Sequence, residues 1–315
     1  MKASRHYNLA SDGFCGAYYA AKTPSDFGFI VIVGDEADDF LNTAFAGYFT
    51  KVQNIHVLTV ALKEKGAKEA GLNLWPLERV ERALQALKDL GMKQVGILGM
   101  SMQASLVLNA AARIPDFSLV LAFTPNDFVP WGFFQGKIGG DRHGEWPSGN
   151  SAFTWRGKPL AFQPAGLEKD PYWNLYLSEK KTYKEMHTVT IFEKSEELHP
   201  ITDDAKIPVE DIGGKLVLIG ARDDVMWNTE KYILRLKERM ETAGKAENLT
   251  TLLYPYGTHL LVPERLLKGA IPLFGDLISR MFTSGKEHPK ECKQARMDLD
   301  FTLSELLENW KTGKI

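Results

Sequence analysis

The chain has 315 residues, of which 44% are apolar, 25% charged and 11% aromatic, and its 38 basic against 40 acidic side chains leave a formal charge of -2. These are the figures of an ordinary globular protein, and a charge so near zero leaves no clustered Lys/Arg footprint for nucleic acid or an anionic membrane. The two cysteines, Cys15 and Cys292, exclude a disulfide framework and leave a Cys/His zinc site short of ligands, so no metal or cofactor is expected and a cytoplasmic location is favoured.

In chain order, the first fourteen residues carry no apolar core of the kind a secretory signal needs, and no apolar run approaches the roughly 20 residues that span a bilayer. Short apolar runs without alternation follow, at Gly28 to Val33, His56 to Leu62, Val95 to Leu98, Leu119 to Phe123, Leu216 to Ile219 and Leu249 to Tyr254. Such runs suit strands buried on both faces. Between them the spacing predicts helices: Pro76 to Leu90, with Val80, Ala83, Leu84 and Leu87 on one face, and Asn228 to Ala243, with Ile233, Leu236 and Met240. Leu303, Leu306, Leu307 and Trp310 mark a C-terminal helix. The alternation predicts an α/β fold with a mostly parallel central sheet and helices on both faces.

The rhythm breaks between Phe128 and about Pro208, where no βα unit is evident. Twelve aromatic residues, four of the seven tryptophans among them, fall between Phe128 and Tyr183. We read residues 1–315 as one domain and 128–208 as an insertion that forms a lid or pocket wall, with Trp131, Phe133 and Phe134 as candidate substrate contacts. The plainer alternative is a packed excursion covering one end of the sheet.

The segment Gln94 to Arg113 reads as a strand, a sharp turn at Gly99-Met100-Ser101-Met102 and an Ala/Leu-rich helix. That is the context of a nucleophile elbow, in which the serine Oγ stands above the sheet and the next residue's N–H points at a developing oxyanion. G-x-S alone is weak, since about one copy is expected by chance in a chain of this composition. The second copy, Gly149-Asn150-Ser151, has neither strand nor apolar helix around it, and in the first copy Gln103 stands where a second small residue is usual. An ordinary serine at a strand-to-helix turn is the competing reading.

Downstream, Lys215 to Ile219 leads into the carboxylate pair Asp223-Asp224, and Thr250 to Tyr254 leads into a glycine-bearing loop ending at His259. Ser, then Asp, then His, each after a strand, is the order in which a serine is activated by an imidazole whose tautomer a carboxylate holds. Only one of the adjacent acids can face His259, and the other reads as solvated. His56 reads as a satisfied residue within a strand, and His199 as a secondary candidate for lining a pocket. A further oxyanion donor is expected after the first core strand, from the N–H of Asp35 or Glu36, beside that of Met102. Carboxylates so near an oxyanion are unexpected, so their side chains should turn outward or cap the helix that starts near Phe40.

Together these residues resemble the C-terminal catalytic domain of the acyl-CoA thioesterase and bile acid-CoA:amino acid N-acyltransferase family, in the dienelactone-hydrolase-like branch of the α/β-hydrolases. The matching pieces are Val95-Gly-Ile-Leu-Gly-Met-Ser101, Leu119 to Asn126, Ile207 to Gly220, Asp223-Asp-Val-Met-Trp227 and Tyr254-Pro-Tyr-Gly-Thr-His259. The resemblance implies an α/β-hydrolase fold and a catalytic set of Ser101, Asp224 and His259, with Asp224 the second Asp of a D-D-x-x-W run. It also implies a small acyl ester or thioester as substrate, and hydrolysis, since the nucleophile is Ser rather than Cys. Two departures stand out: Met102-Gln103 replace the family's usual Lys-Gly, and the roughly 26 residues before the first core strand do not supply the N-terminal β-sandwich domain of the eukaryotic members. Lys137, Arg142 and Arg156 are the available cations for nucleotide phosphates. A carboxylesterase or lactone hydrolase, or a catalytically silent fold used for binding, are the alternatives, and nothing in the sequence sets an oligomeric state.

Overall fold

The computed structural model describes residues 1–66, 71–133, 148–272 and 275–315. Each of the six apolar runs forms a strand. The first half of the chain runs β1 (Arg5–Tyr7), α1 (Leu9–Asp12), β2 (Gly16–Tyr19), β3 (Phe27–Ile32), α2 (Phe40–Lys51), β4 (His56–Val60), β5 (Trp75–Pro76), α3 (Glu78–Asp89), β6 (Gln94–Met100), α4 (Met102–Ala111) and β7 (Leu119–Phe123). After the small strands β8 (Phe153–Trp155) and β9 (Lys158–Pro159) come α5 (Lys169–Tyr183), α6 (Val189–Leu198), β10 (Lys215–Ala221), α7 (Thr229–Thr242) and β11 (Leu249–Tyr254). The chain closes with α8 (Glu264–Ala270), α9 (Gly275–Ser279), α10 (Thr283–Glu287) and α11 (Pro289–Lys311).

Eight strands form one sheet in the order β1-β2-β4-β3-β6-β7-β10-β11. The pairs from β4 through β11 are parallel, and the β1–β2 and β2–β4 pairs at one edge are antiparallel, so β2 alone of the eight runs against the others. The central runs do not alternate in polarity because both faces are covered. Ile30 and Ile32 join Leu58, Ile97, Val120 and Leu218 under α3, α4 and α7, whereas Phe29 and Val31 join Val57, Leu98, Leu121 and Val217 under α2, α8 and α11. Each such side chain, fully buried, contributes about 1.5–3 kcal/mol relative to exposure, so the two faces together hold the sheet. β1 and β2 carry no such run, which is why the apolar pattern did not reveal them. His56 is satisfied as expected: its Nδ1 accepts from the Tyr18 hydroxyl at 2.7 Å and the Ala21 N–H at 3.1 Å.

Among the described residues, the stretch without an evident βα unit contains the helices α5 and α6 and the strands β8 and β9, which form a small sheet with β5 from earlier in the chain. The helices escaped the periodicity reading because the apolar residues of α5 are chiefly the rings Tyr172, Trp173 and Tyr176, with Leu175 and Leu177 between and beside them, rather than an aliphatic stripe at helical spacing. Both ends of the stretch are tied together at the sheet's edge. Val129 N–H donates to the Ala205 carbonyl at 2.8 Å and Ile207 N–H to the Asp127 carbonyl at 3.0 Å.

Asp127, at the start of that stretch, is buried, and burial pushes its carboxyl up from 3.8 to about 6 against the opposing pull of Arg235, whose Nη1 lies 3.7 Å from Oδ2. A raised value means the folded state holds this proton more tightly than the unfolded chain. Its contribution to stability is therefore complete below about pH 4 and lost as pH rises through about 6. Asp127→Asn should remove about 3 kcal/mol of that pH-dependent loss. Urea midpoints of wild type and variant near both limits check it, and parallel curves would refute it.

Candidate active site

The tight turn after β6 is set by contacts that only glycine allows. A Cβ on Gly99 would stand 2.2 Å from the Gln103 carbonyl oxygen and 2.8 Å from Val107 Cγ2, so the strand and α4 approach as closely as they do because position 99 has none. Ser101 adopts φ 61° and ψ -131°, a conformation an L-residue rarely holds. It is fixed there by bonds at either side, from Ser101 N–H to the Phe123 carbonyl at 2.9 Å and from Ala104 N–H to the Ser101 carbonyl at 2.8 Å.

His259, buried on the loop after β11, meets Ser101 across the end of the sheet, with Nε2 2.8 Å from Ser101 Oγ. Its Nδ1 lies 2.8 Å from Asp224 Oδ2. A carboxylate only accepts, so the Nδ1 proton points at Asp224, which leaves the Nε2 lone pair facing the serine hydroxyl. Asp224 is buried and further held by the Met226 N–H at 2.9 Å and the Thr229 hydroxyl at 2.5 Å. The Trp227 ring stands edge-on to the imidazole, 5.1 Å between centroids. The structure thus brings together Ser101, Asp224 and His259. Asp223 departs from the solvated position expected of it: it accepts from the N–H groups of Gly257 and Thr258 at 3.0 and 2.8 Å and from the Ser284 hydroxyl at 2.6 Å.

Met102 is the first residue of α4, so its N–H has no intrahelical acceptor and faces the elbow. On the other side, β3 pairs in parallel with β6 so that Ile32 lies opposite Gly99, and the acidic loop therefore leaves the sheet beside Ser101. The Glu36 N–H is committed to Asp39 Oδ2 at 3.2 Å. The carboxylates are managed locally. Asp39 caps α2 through the Asn42 N–H at 2.9 Å, Glu36 faces Lys63 Nζ at 3.3 Å and Asp38 faces Lys65 Nζ at 2.7 Å. Burial holds the Asp35 carboxyl above its ordinary value, with Lys63 opposing.

The aromatic candidates divide. Trp131 stacks on Phe192 at 5.1 Å, and Phe192 meets Trp227 edge-on at 5.2 Å, so a run of rings reaches His259. Trp131 also borders a cavity of about 580 Å³ with Phe162, Leu167 and His199. Phe133 instead packs into the core beneath α3 and α4. Phe134, Lys137 and Arg142 lie outside the described residues. Arg156 is held by both oxygens of Glu81, at 2.8 Å each, and lies over the Trp155 ring.

Because Gly99 has no room for a methyl group, Gly99→Ala is expected to destabilise the fold by about 1–3 kcal/mol through overpacking, and to disturb Ser101 more than a core substitution of equal cost. Chemical denaturation, together with the reactivity of Ser101 toward a fluorophosphonate, checks this. Unchanged values on both measures would contradict the close approach.

Residues 158–265, about a third of the chain, match the family described as BAAT / acyl-CoA thioester hydrolase C terminal. That span contains Asp224 and His259 but not the elbow. No curated protein matches the sequence. Among solved structures, an acylaminoacyl peptidase from Pyrococcus horikoshii superposes with a TM-score of 0.51 at 10% identity, over 98% of this chain and 41% of that one. Est1E from Butyrivibrio proteoclasticus aligns over 97% and 99% of the two chains at a TM-score of 0.46 and 12% identity, and an esterase from Pyrococcus furiosus over 85% and 86% at 0.47 and 16%. The chain has the α/β-hydrolase fold, and across 158–265 it matches the acyl-CoA thioester hydrolase family that its motifs resemble.

Proposed function

We propose that the protein is a serine hydrolase that cleaves a small acyl thioester or ester through an acyl-enzyme on Ser101. The observation that carries this reading is the unbroken chain of contacts from Ser101 Oγ through His259 to Asp224 Oδ2, both links 2.8 Å. His259 Nε2 takes the hydroxyl proton as Oγ attacks the carbonyl carbon, and Asp224 holds the ring and stabilises the imidazolium. The N–H groups of Met102 and Asp35 receive the oxyanion. Collapse expels the leaving group, and His259 returns its proton to the departing thiolate or alkoxide. Water, activated by the same imidazole, then releases the acid and restores Ser101.

The segment match to an acyl-CoA thioester hydrolase family supports placing thioesters in the substrate class. We read 128–208 as the wall or lid of the acyl site, supported by the rings that run from Trp131 to Trp227 beside His259. For Arg156 to meet a nucleotide phosphate it must leave Glu81. A cytoplasmic location accords with two buried free thiols, and among the described residues no helix is long and apolar enough to cross a membrane.

Ser101→Ala is expected to abolish fluorophosphonate labelling and to lower kcat by about 10⁴-fold or more on any cleaved substrate. A panel of acyl-CoAs run against p-nitrophenyl esters of the same chain lengths separates sulfur from oxygen esters. Wild-type turnover by the alanine variant would overturn the assignment, and absence of labelling in the folded wild type would favour a silent binding fold.

A further inference from the structure

Asp223 does not touch Ser101 or His259, yet its carboxylate is fully engaged. Oδ1 accepts from Gly257 N–H at 3.0 Å and Thr258 N–H at 2.8 Å, and Oδ2 from the Ser284 hydroxyl at 2.6 Å. Thr258, the residue before His259, is buried and sits at φ 61°. A β-branched residue in that region is strained, and such strain persists only where surrounding bonds over-determine the backbone. The two N–H bonds to Asp223 supply that constraint. Without them Thr258 relaxes toward negative φ, and the ring that follows moves away from the serine.

The other side of the carboxylate leads to the insertion. Ser284 lies in α10, and the N–H of the preceding residue, Thr283, donates to Glu185, a buried residue of the turn between α5 and α6. The same turn reaches the loop of the triad acid, because the N–H groups of Thr188 and Val189 both donate to the Val225 carbonyl, at 3.1 and 3.0 Å. One turn of the insertion therefore braces the Asp224 loop directly and the His259 loop through α10 and Asp223.

We infer that Asp223 is a positioning residue for His259, and that Glu185, acting through Ser284, couples the insertion to the placement of that histidine. The inference rests on the serine-hydrolase reading for its kinetic consequence but not for its geometric one. Whereas the amide oxygen of an Asn could still accept from both N–H groups, Asp223→Leu keeps roughly the shape but offers no acceptor to the two N–H donors or to the Ser284 hydroxyl. It is expected to slow fluorophosphonate labelling and kcat on p-nitrophenyl butyrate by about 10- to 100-fold with KM within about twofold, since a displaced base costs rate rather than binding. Ser284→Ala, which leaves the N–H contacts in place, should act in the same direction by less. Glu185→Ala should slow labelling in the wild-type background and have no further effect in the Ser284→Ala background, as expected for groups acting in series.

A readout independent of turnover is the low-field proton resonance of the His259–Asp224 bond. It should persist in Ser101→Ala and be lost or broadened in Asp223→Leu, each folded by near-ultraviolet circular dichroism. If Ser101 in the wild type is not labelled, the hydrolase reading fails and this resonance alone decides the positioning role. Labelling within about twofold of wild type in Asp223→Leu with the resonance retained overturns the role of Asp223, and Glu185 and Ser284 effects that multiply overturn the coupling.

Discussion

What the candidate site depends on is a single constraint of the sheet: parallel strands buried on both faces deliver all their outgoing loops to one edge. β3, β6, β7, β10 and β11 run in the same direction, so the acidic loop, the elbow, the Asp223-Asp224 pair and the His259 loop leave the sheet side by side. Strand order then imposes a difficulty, because β7 and β10 stand between the serine's strand and the histidine's. For His259 to reach Ser101 the loop after β7 has to turn away. It does so at Thr124, whose φ is 43° and whose N–H is spent on the Ile219 carbonyl of β10 at 2.6 Å. The strain at Thr124, Ser101 and Thr258 falls on three loops of this one edge, each residue pinned by neighbouring backbone or by a carboxylate.

How much of this was legible follows from the range over which each signal acts. The six core strands and the helix faces of α3, α7 and α11 are written in local spacing, since burial on two faces or one imposes a pattern on consecutive residues. The elbow was readable for the same reason: Gly99, Ser101 and the apolar helix are local. The Ser, Asp and His order added information because topology assigns each to a separate strand end. The jobs of the two adjacent aspartates were not separable from composition. Asp223 and Asp224 differ only in which way the backbone turns after Ala221, and the partners that decide between them, Gly257, Thr258 and Ser284, lie more than thirty residues away. Glu36 fails as a loop donor for a similarly hidden reason, the capping carboxylate of Asp39 taking its N–H. The helices of the insertion were obscured because aromatic rings packing on one another need no aliphatic periodicity.

The acidic loop illustrates how magnitudes settle an apparent contradiction. Four carboxylates within five residues of a proposed oxyanion site would oppose negative charge if they were free. Instead Asp39 is consumed by α2, Glu36 and Asp38 have lysine partners, and burial holds the Asp35 carboxyl above its ordinary value. Exposed pairs of this kind add little stability, about 0–1 kcal/mol each, so their consequence here is electrostatic rather than energetic. They give three of the four carboxylates a local partner, which weakens the field the loop presents to the elbow.

The insertion and the site are harder to treat as separate than the chain order suggests. An apolar route, Trp131 to Phe192 to Trp227, ends edge-on against the His259 ring, while a polar route from Glu185 ends on the backbone that carries that ring. A segment that only covered one end of the sheet needs neither, because apolar contact with the rim suffices to exclude water. Two routes of different chemistry meeting at one imidazole mean that displacing the α5–α6 turn shifts the ring's packing and its hydrogen-bonded support together. Under the proposed function, a substrate that displaces this turn would displace the base with it, so that binding and alignment become one event.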